Sequence, residues 1–150
     1  SSHQLGQLGA FTVVVADTGD INTIKEFRPT DATTNPSLLY KAAGMPEYTY
    51  LVDEAINYGR SANLPTDEET LALILDKLAV NFGAEITKIV PGYVSTEVDA
   101  RLSFDTVSTI HRARRLIKLY EEIGIDKSRV LIKVRDSTFI FYCYLFFPTV

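Results

Sequence analysis

Short apolar, β-branched runs alternate along this chain with longer stretches of helical period, and that alternation limits the fold more than any other feature. Strands separated by helices build parallel sheets through right-handed β-α-β units. Phe11–Ala16 is a continuous apolar run of the kind expected of a strand buried on both faces, and Asp17-Thr18-Gly19-Asp20 closes it with a turn signal. Ile21–Phe27 reads as a short helix, Arg28-Pro29-Thr30 as a break, and Ala32-Thr33-Thr34 as a brief second strand. Tyr93–Val98 and Arg129–Lys133 supply the third and fourth strands.

The intervening helices announce their own ends. Asn35-Pro36-Ser37 starts one, since Asn is a favoured N-cap and Pro a favoured first helical residue. Pro46–Ala62 continues with Tyr48, Leu51, Val52, Ala55, Ile56 and Gly59 along one stripe. Thr66-Asp67-Glu68-Glu69 matches a capping box. The helix it opens carries Leu71, Ile74, Leu75, Leu78, Phe82, Ile86 and Ile89 at helical spacing, with Gly83 weakening the pattern but not breaking it. Asp105 caps a further helix with Ile110, Ala113, Leu116, Ile117, Tyr120 and Ile123 on one face and Gly124 as its stop. The fold class is therefore α/β, with about four parallel strands and surrounding helices. An open doubly wound sheet and part of a (β/α)8 barrel both satisfy the pattern. A complete barrel takes about 250 residues, and this chain has 150.

Bulk properties narrow the function classes. The composition, 46% hydrophobic and 23% charged, is ordinary for a soluble globular protein. A net charge of −4 points to neither nucleic acid nor an anionic membrane as partner, so a phosphorylated substrate needs its own local basic pocket. A lone cysteine, Cys143, permits no internal disulfide and fits a cytoplasmic location. No signal peptide opens the sequence, and the most apolar stretch, Phe139–Phe147, is far shorter than the roughly 20 residues a membrane helix needs. The chain also lacks an initiator Met, which suggests a processed N-terminus or a fragment.

Both candidate architectures place a site at the carboxyl ends of the strands. Those ends carry Asp17, then Thr33, Thr34 and Asn35, then Glu97 and Asp99, and finally Lys133. One lysine with carboxylates and an amide is the inventory of imine chemistry on a carbonyl substrate. The lysine must lose a proton to attack, which burial beside an apolar strand favours. A carboxylate then shuttles protons, while amide and hydroxyl groups hold sugar hydroxyls. Such chemistry needs no metal or organic cofactor, because the protonated imine is the electron sink.

Each of these residues also has a plainer role. Lys133 can be a polar strand terminus, Asp17 and Asp20 turn residues, Asn35 an N-cap, and Thr33 and Thr34 ordinary β-formers. Glu97 is harder to dismiss, because a carboxylate inside Val94–Val98 is costly if buried unpaired; a salt bridge from Glu97 or Asp99 to Arg101 is its structural alternative. His111-Arg112-Ala113-Arg114-Arg115 with Lys118 reads as a solvated helix face.

Three long segments carry a resemblance. Val13–Asp20, Asp31–Leu38 and Ser95–Leu102 look like the signature segments of transaldolases and occur in that family's order, and Val130–Lys133 resembles its Schiff-base lysine strand. The likeness runs from about Leu8 to Lys133 and resembles the larger, eukaryotic-type subfamily. It implies the N-terminal half of a (β/α)8 TIM barrel, cut off after the lysine. It also implies transfer of a dihydroxyacetone unit from sedoheptulose 7-phosphate to glyceraldehyde 3-phosphate in the pentose phosphate pathway. On matching positions Lys133 is the nucleophile, Glu97 the acid/base acting through a water, and Asp17 the residue assisting at the carbon–carbon step. Asn35 and Thr33 bind substrate hydroxyls. Sugar phosphates are the implied partners, and members of the family are often homodimers.

Two departures stand out. Tyr93 replaces the family's usual arginine. After Lys133 the family continues with small residues and a Thr-Trp-Glu-Gly segment, whereas this chain reads Val134-Arg135-Asp136-Ser137-Thr138 and has no Trp. Six of its sixteen Phe and Tyr residues fall in Phe139–Phe147. The expected organisation is a partial barrel over residues 1–134 and a divergent hydrophobic tail over 135–150, of the composition a retained intron would encode. A genuine fifth element is the alternative. The family's later strands supply its phosphate-gripping residues, so the isolated chain is expected to be poorly soluble and to have little transferase activity. A related imine-forming aldolase and a non-catalytic fragment that acts as an interaction module are the competing functions.

Overall fold

The computed structural model of the chain describes residues 4–98 and 106–134. Helix α1 (Gln4–Leu8) precedes strand β1 (Val15–Asp17), helix α2 (Ile21–Phe27), strand β2 (Asp31–Thr33), helix α3 (Pro36–Ala43) and helix α4 (Thr49–Ser61). Helix α5 (Asp67–Thr87), strand β3 (Val94–Glu97), helix α6 (Thr106–Glu122) and strand β4 (Val130–Lys133) complete the order. The four strands form one sheet, β1-β2-β3-β4, with every pair parallel. A doubly wound sheet reverses its strand order at a switch point. This order runs in one direction only, which is the winding of the N-terminal half of a (β/α)8 barrel.

The two faces of the sheet differ as the pleat dictates. Ala32, Val94, Thr96 and Val130 point to the helices and are buried. The alternate residues Val15, Asp17, Thr33, Ser95, Glu97, Leu131 and Lys133 point to the opposite, concave side, where Val15 and Leu131 are each 50% exposed. This corrects the expectation that Phe11–Ala16 is buried on both faces. Strand structure begins only at Val15, Phe11 and Val13 are exposed, and β1 packs its Ala16 side alone against the core. The boundaries of the other strands lie within one residue of those expected.

Caps explain where the helices start. Asn35 Oδ1 accepts from the Leu38 amide at 3.0 Å, with Pro36 in the first helical turn. Thr66 Oγ1 accepts from the Glu69 amide and donates to the Glu69 carboxylate. Asp20 accepts from the Asn22 amide, the Thr23 hydroxyl and the Tyr48 hydroxyl, the last two at 2.7 Å. Gly124 ends the turn after α6 with φ at +81°, a value L side chains rarely adopt. Tyr48 closes a 3-10 turn, Pro46–Tyr48, so the expected helix over Pro46–Ala62 is two elements.

Bonds from Tyr48 and Thr23 hold the Asp20 carboxyl below its usual range. A depressed folded-state pKa stabilises the fold above the unfolded value and loses that contribution as pH falls through the folded value. Stability should therefore drop below about pH 4. Asp20→Asn keeps the cap without the titration, so its thermal midpoint should change less across that acid range than the parent's.

Helix α5 is the centre of the molecule. It touches α2, α3, α4, α6 and β3, and Asp76 to Gly83 are buried without interruption. Lys77 is enclosed beside Glu54 at 3.4 Å and over the Tyr58 ring. The basic cluster on α6 is not simply a solvated face. Arg112 is buried, and Arg112 and Arg115 both turn onto Asp76. Asp99, Arg101, Asp105, Cys143 and the run Phe139–Phe147 lie outside the described residues.

Among the described residues no helix is long and apolar enough to cross a membrane.

Candidate functional site

The concave side of the sheet gathers polar groups in two rows. Register pairs Asp17 with Thr33 and Thr33 with Ser95 in the lower row. One pleat nearer the carboxyl ends, Glu97 pairs with Lys133. Because i and i+2 share a face of a strand, Ser95 and Glu97 point the same way, as do Leu131 and Lys133.

The upper row contains the tightest polar contact. Lys133 Nζ lies 2.9 Å from Glu97 Oε2 and donates to the Thr34 carbonyl at 3.2 Å. The Glu97 side chain is 9% exposed while that of Lys133 is 39% exposed. The carboxylate is thus sunk beside the sheet, and the amine sits where a small molecule can reach it. Among the described residues the ion-pair partner of Glu97 is the lysine of the next strand; Arg101, its structural alternative, lies outside them.

Below the pair the backbone is fixed from several directions. Thr34 is fully buried, and both its amide and its hydroxyl donate to the Ser95 carbonyl. The Val98 amide donates to the Lys133 carbonyl at 2.9 Å, tying β3 to β4 just beyond Glu97. On the helix side, the hydroxyls of Thr96 and Tyr120 share a 2.6 Å hydrogen bond. Complete burial pushes the Tyr120 phenol far above its usual range, with the Thr96 bond opposing only in part.

Of the residues expected from sequence, the structure brings Lys133 and Glu97 into contact. Asn35 lies nearby: with Glu97 it lines one end of a cavity of about 300 Å³ that runs between α3 and α5. That volume is at the small end for ligand sites. Asn35 Oδ1 is committed to its cap, so its amide nitrogen is the group with donors to offer. Asp17 and Thr33 share the concave face one row lower, paired with each other across β1 and β2. Four residues take part without having been given a site role from the sequence, although Thr34 was already placed at the strand ends. The Thr34 carbonyl is a backbone group that no side-chain pattern reveals. Ser95 was legible, since it precedes Glu97 by two and shares its face. Asp76 and Arg112 also line the cavity, where a helical stripe gave no hint of them. Among the described residues no group of three His, Cys, Asp or Glu side chains is placed to hold a metal ion.

Residues 14–135 match the family described as transaldolase/fructose-6-phosphate aldolase. The chain is 57% identical over 135 residues to a protein of Escherichia coli K12 named transaldolase A, an alignment covering 90% of this chain and 42% of that protein. It is 56% identical over 136 residues to a transaldolase of Alteromonas mediterranea, covering 91% and 42% respectively. For a transaldolase of Mannheimia succiniciproducens the identity is 58% over 135 residues, covering 89% and 42%. The chain therefore spans about two fifths of the length of the curated relatives it matches.

Proposed function

Since the chain belongs to the transaldolase/fructose-6-phosphate aldolase family, we propose that it carries the imine-forming part of a transaldolase, with Lys133 as nucleophile. The observation that carries this reading is the Glu97–Lys133 pair at 2.9 Å on the concave side of the strand ends. The amine must give up a proton before it attacks a ketose carbonyl, and Glu97 is the recipient in reach. Attack forms a carbon–nitrogen bond and a carbinolamine, and Glu97 returns a proton as water leaves, directly or through a water molecule. The protonated imine then draws in the electron pair of the adjacent carbon–carbon bond. Asp17 takes the proton of the hydroxyl on the departing aldehyde. The enamine left on Lys133 adds to an acceptor aldose, which makes the reaction a transfer. Asn35 and Thr33 hold substrate hydroxyls along the same face.

The substrates we assign are sedoheptulose 7-phosphate as donor and glyceraldehyde 3-phosphate as acceptor, in the cytoplasmic pentose phosphate pathway. We place the chain with the larger, eukaryotic-type transaldolases and not the short aldolase-like members. The relatives' names support the transaldolase part of that placement. Residues 1–134 are read as partial barrel and 135–150 as a divergent tail of intron origin, a division supported by a family match that ends at residue 135. Genomic DNA with an uninterrupted exon through Val150 would remove the intron origin.

Borohydride reduction in the presence of fructose 6-phosphate, followed by peptide mass spectrometry, tests the central claim. A reduced adduct on Lys133 is the expected result, and a chain that stays unmodified at Lys133 overturns it. Omitting the acceptor and assaying free dihydroxyacetone separates transferase from aldolase.

A further inference from the structure

We propose that the buried Thr96–Tyr120 hydroxyl pair, admitted by Gly83, is a positioning device that sets the height of Glu97 against Lys133. Thr96 directly precedes Glu97 on β3, and its side chain points to the helices while that of Glu97 points to the concave face. Its hydroxyl meets Tyr120 of α6 at 2.6 Å, and both residues are wholly excluded from solvent.

Packing alone does not call for this arrangement. Val and Phe would fill the same space without polar atoms, and replacing both partners of a buried hydrogen bond by apolar groups of the same shape is close to neutral. Tyr120 also packs over a glycine inside the 21-residue helix α5. A Cβ at Gly83 would lie 1.8 Å from the Tyr120 hydroxyl oxygen and 2.8 Å from the ring carbon Cζ, so the ring and its hydroxyl together need the glycine, a residue unfavourable in a helix interior. The glycine answers to the tyrosine ring as much as to its hydroxyl, so what packing leaves unexplained is the buried hydroxyl pair itself.

What the pair supplies is a fixed point. The ladder to β4 and the Thr34 bonds to Ser95 set the register of β3 against its neighbouring strands. A hydrogen bond from α6 to a single side-chain atom adds a restraint from the helix layer, next to Glu97. Sliding of β3 moves Glu97 past Lys133, and a misplacement of about 1 Å at a reacting group can cost 10²-fold in rate. The inference builds on Glu97 acting on Lys133, so its test needs a readout that does not depend on imine formation.

Two rates at Lys133 give that readout: borohydride trapping with fructose 6-phosphate, and labelling by trinitrobenzenesulfonate, which needs no substrate. Thr96→Val with Tyr120→Phe should keep the thermal midpoint within a few degrees, slow trapping about tenfold, and raise labelling to the level of Glu97→Gln. Thr96→Ser, which keeps the hydroxyl and loses the methyl, should keep both rates within about threefold of the parent. Tyr120→Phe alone is measured alongside, so the labelling comparison stands even if the double variant fails to fold. Parent-like labelling in the folded double variant, or in Tyr120→Phe if the double variant is unfolded, overturns the proposal. So does a Thr96→Ser chain whose labelling matches Glu97→Gln, because volume and not the hydroxyl would then be what matters. If the parent itself forms no adduct, the imine reading fails and the labelling rates still decide the positioning role.

Discussion

Glu97→Gln is expected to slow formation of the Lys133 adduct by roughly 10²- to 10⁴-fold, the usual contribution of a positioned acid/base group. Glutamine keeps the size of the side chain and an oxygen to face Lys133 Nζ, so the 2.9 Å contact and its packing survive. What it cannot do is accept a proton from the amine or return one to the departing water. Lys133 itself stays in place through its bond to the Thr34 carbonyl, so a slow variant cannot be explained by a displaced nucleophile. Labelling by trinitrobenzenesulfonate should meanwhile rise, since the amine is no longer held in an ion pair. Trapping within about threefold of the parent would remove Glu97 from the mechanism.

That pair shows how far the sequence could be read and where it stopped. Strand-end logic placed Glu97 and Lys133 on one rim, and the register places them opposite one another. The caps at Asn35 and Thr66 were legible because capping is local chemistry between residues three apart. The first strand was misjudged for the opposite reason. Its apolar run promises burial, but whether anything covers it depends on elements distant in sequence, and Val15 stays half exposed. Helix α5 failed similarly. A single stripe describes a helix with one buried side, whereas this one is enclosed by four helices and a strand, which buries Asp76 and Lys77 beside the apolar residues. The Thr34 carbonyl escaped because every residue has a carbonyl.

Asp76 carries the largest expected effect on stability. Its oxygens accept from Arg112 Nε and Arg115 Nε at 2.8 Å each, and the side chains of Asp76 and Arg112 are 7% and 9% exposed. Asp76→Ala removes the carboxylate facing a buried guanidinium, so unfolding in urea should show a loss of about 3 kcal/mol, the lower end for a broken buried pair because Arg115 is a third exposed. Burial nevertheless raises the Asp76 carboxyl above its usual range, with the two arginines only partly opposing. A raised folded-state pKa means that this group's stabilising effect is fully present below the unfolded value and is lost as pH rises through the folded value. Asp76 therefore does not cause acid lability, unlike Asp20. A buried ion pair is often matched by apolar residues of similar volume, which gives the prediction its second half. Asp76→Leu combined with Arg112→Met replaces charge by apolar volume, and should regain at least half of what Asp76→Ala loses. A double variant no more stable than Asp76→Ala would show instead that the charged cluster is a net source of stability. In that case the clamp between α5 and α6, and with it the placement of Tyr120 beneath β3, would depend on charge and not on packing.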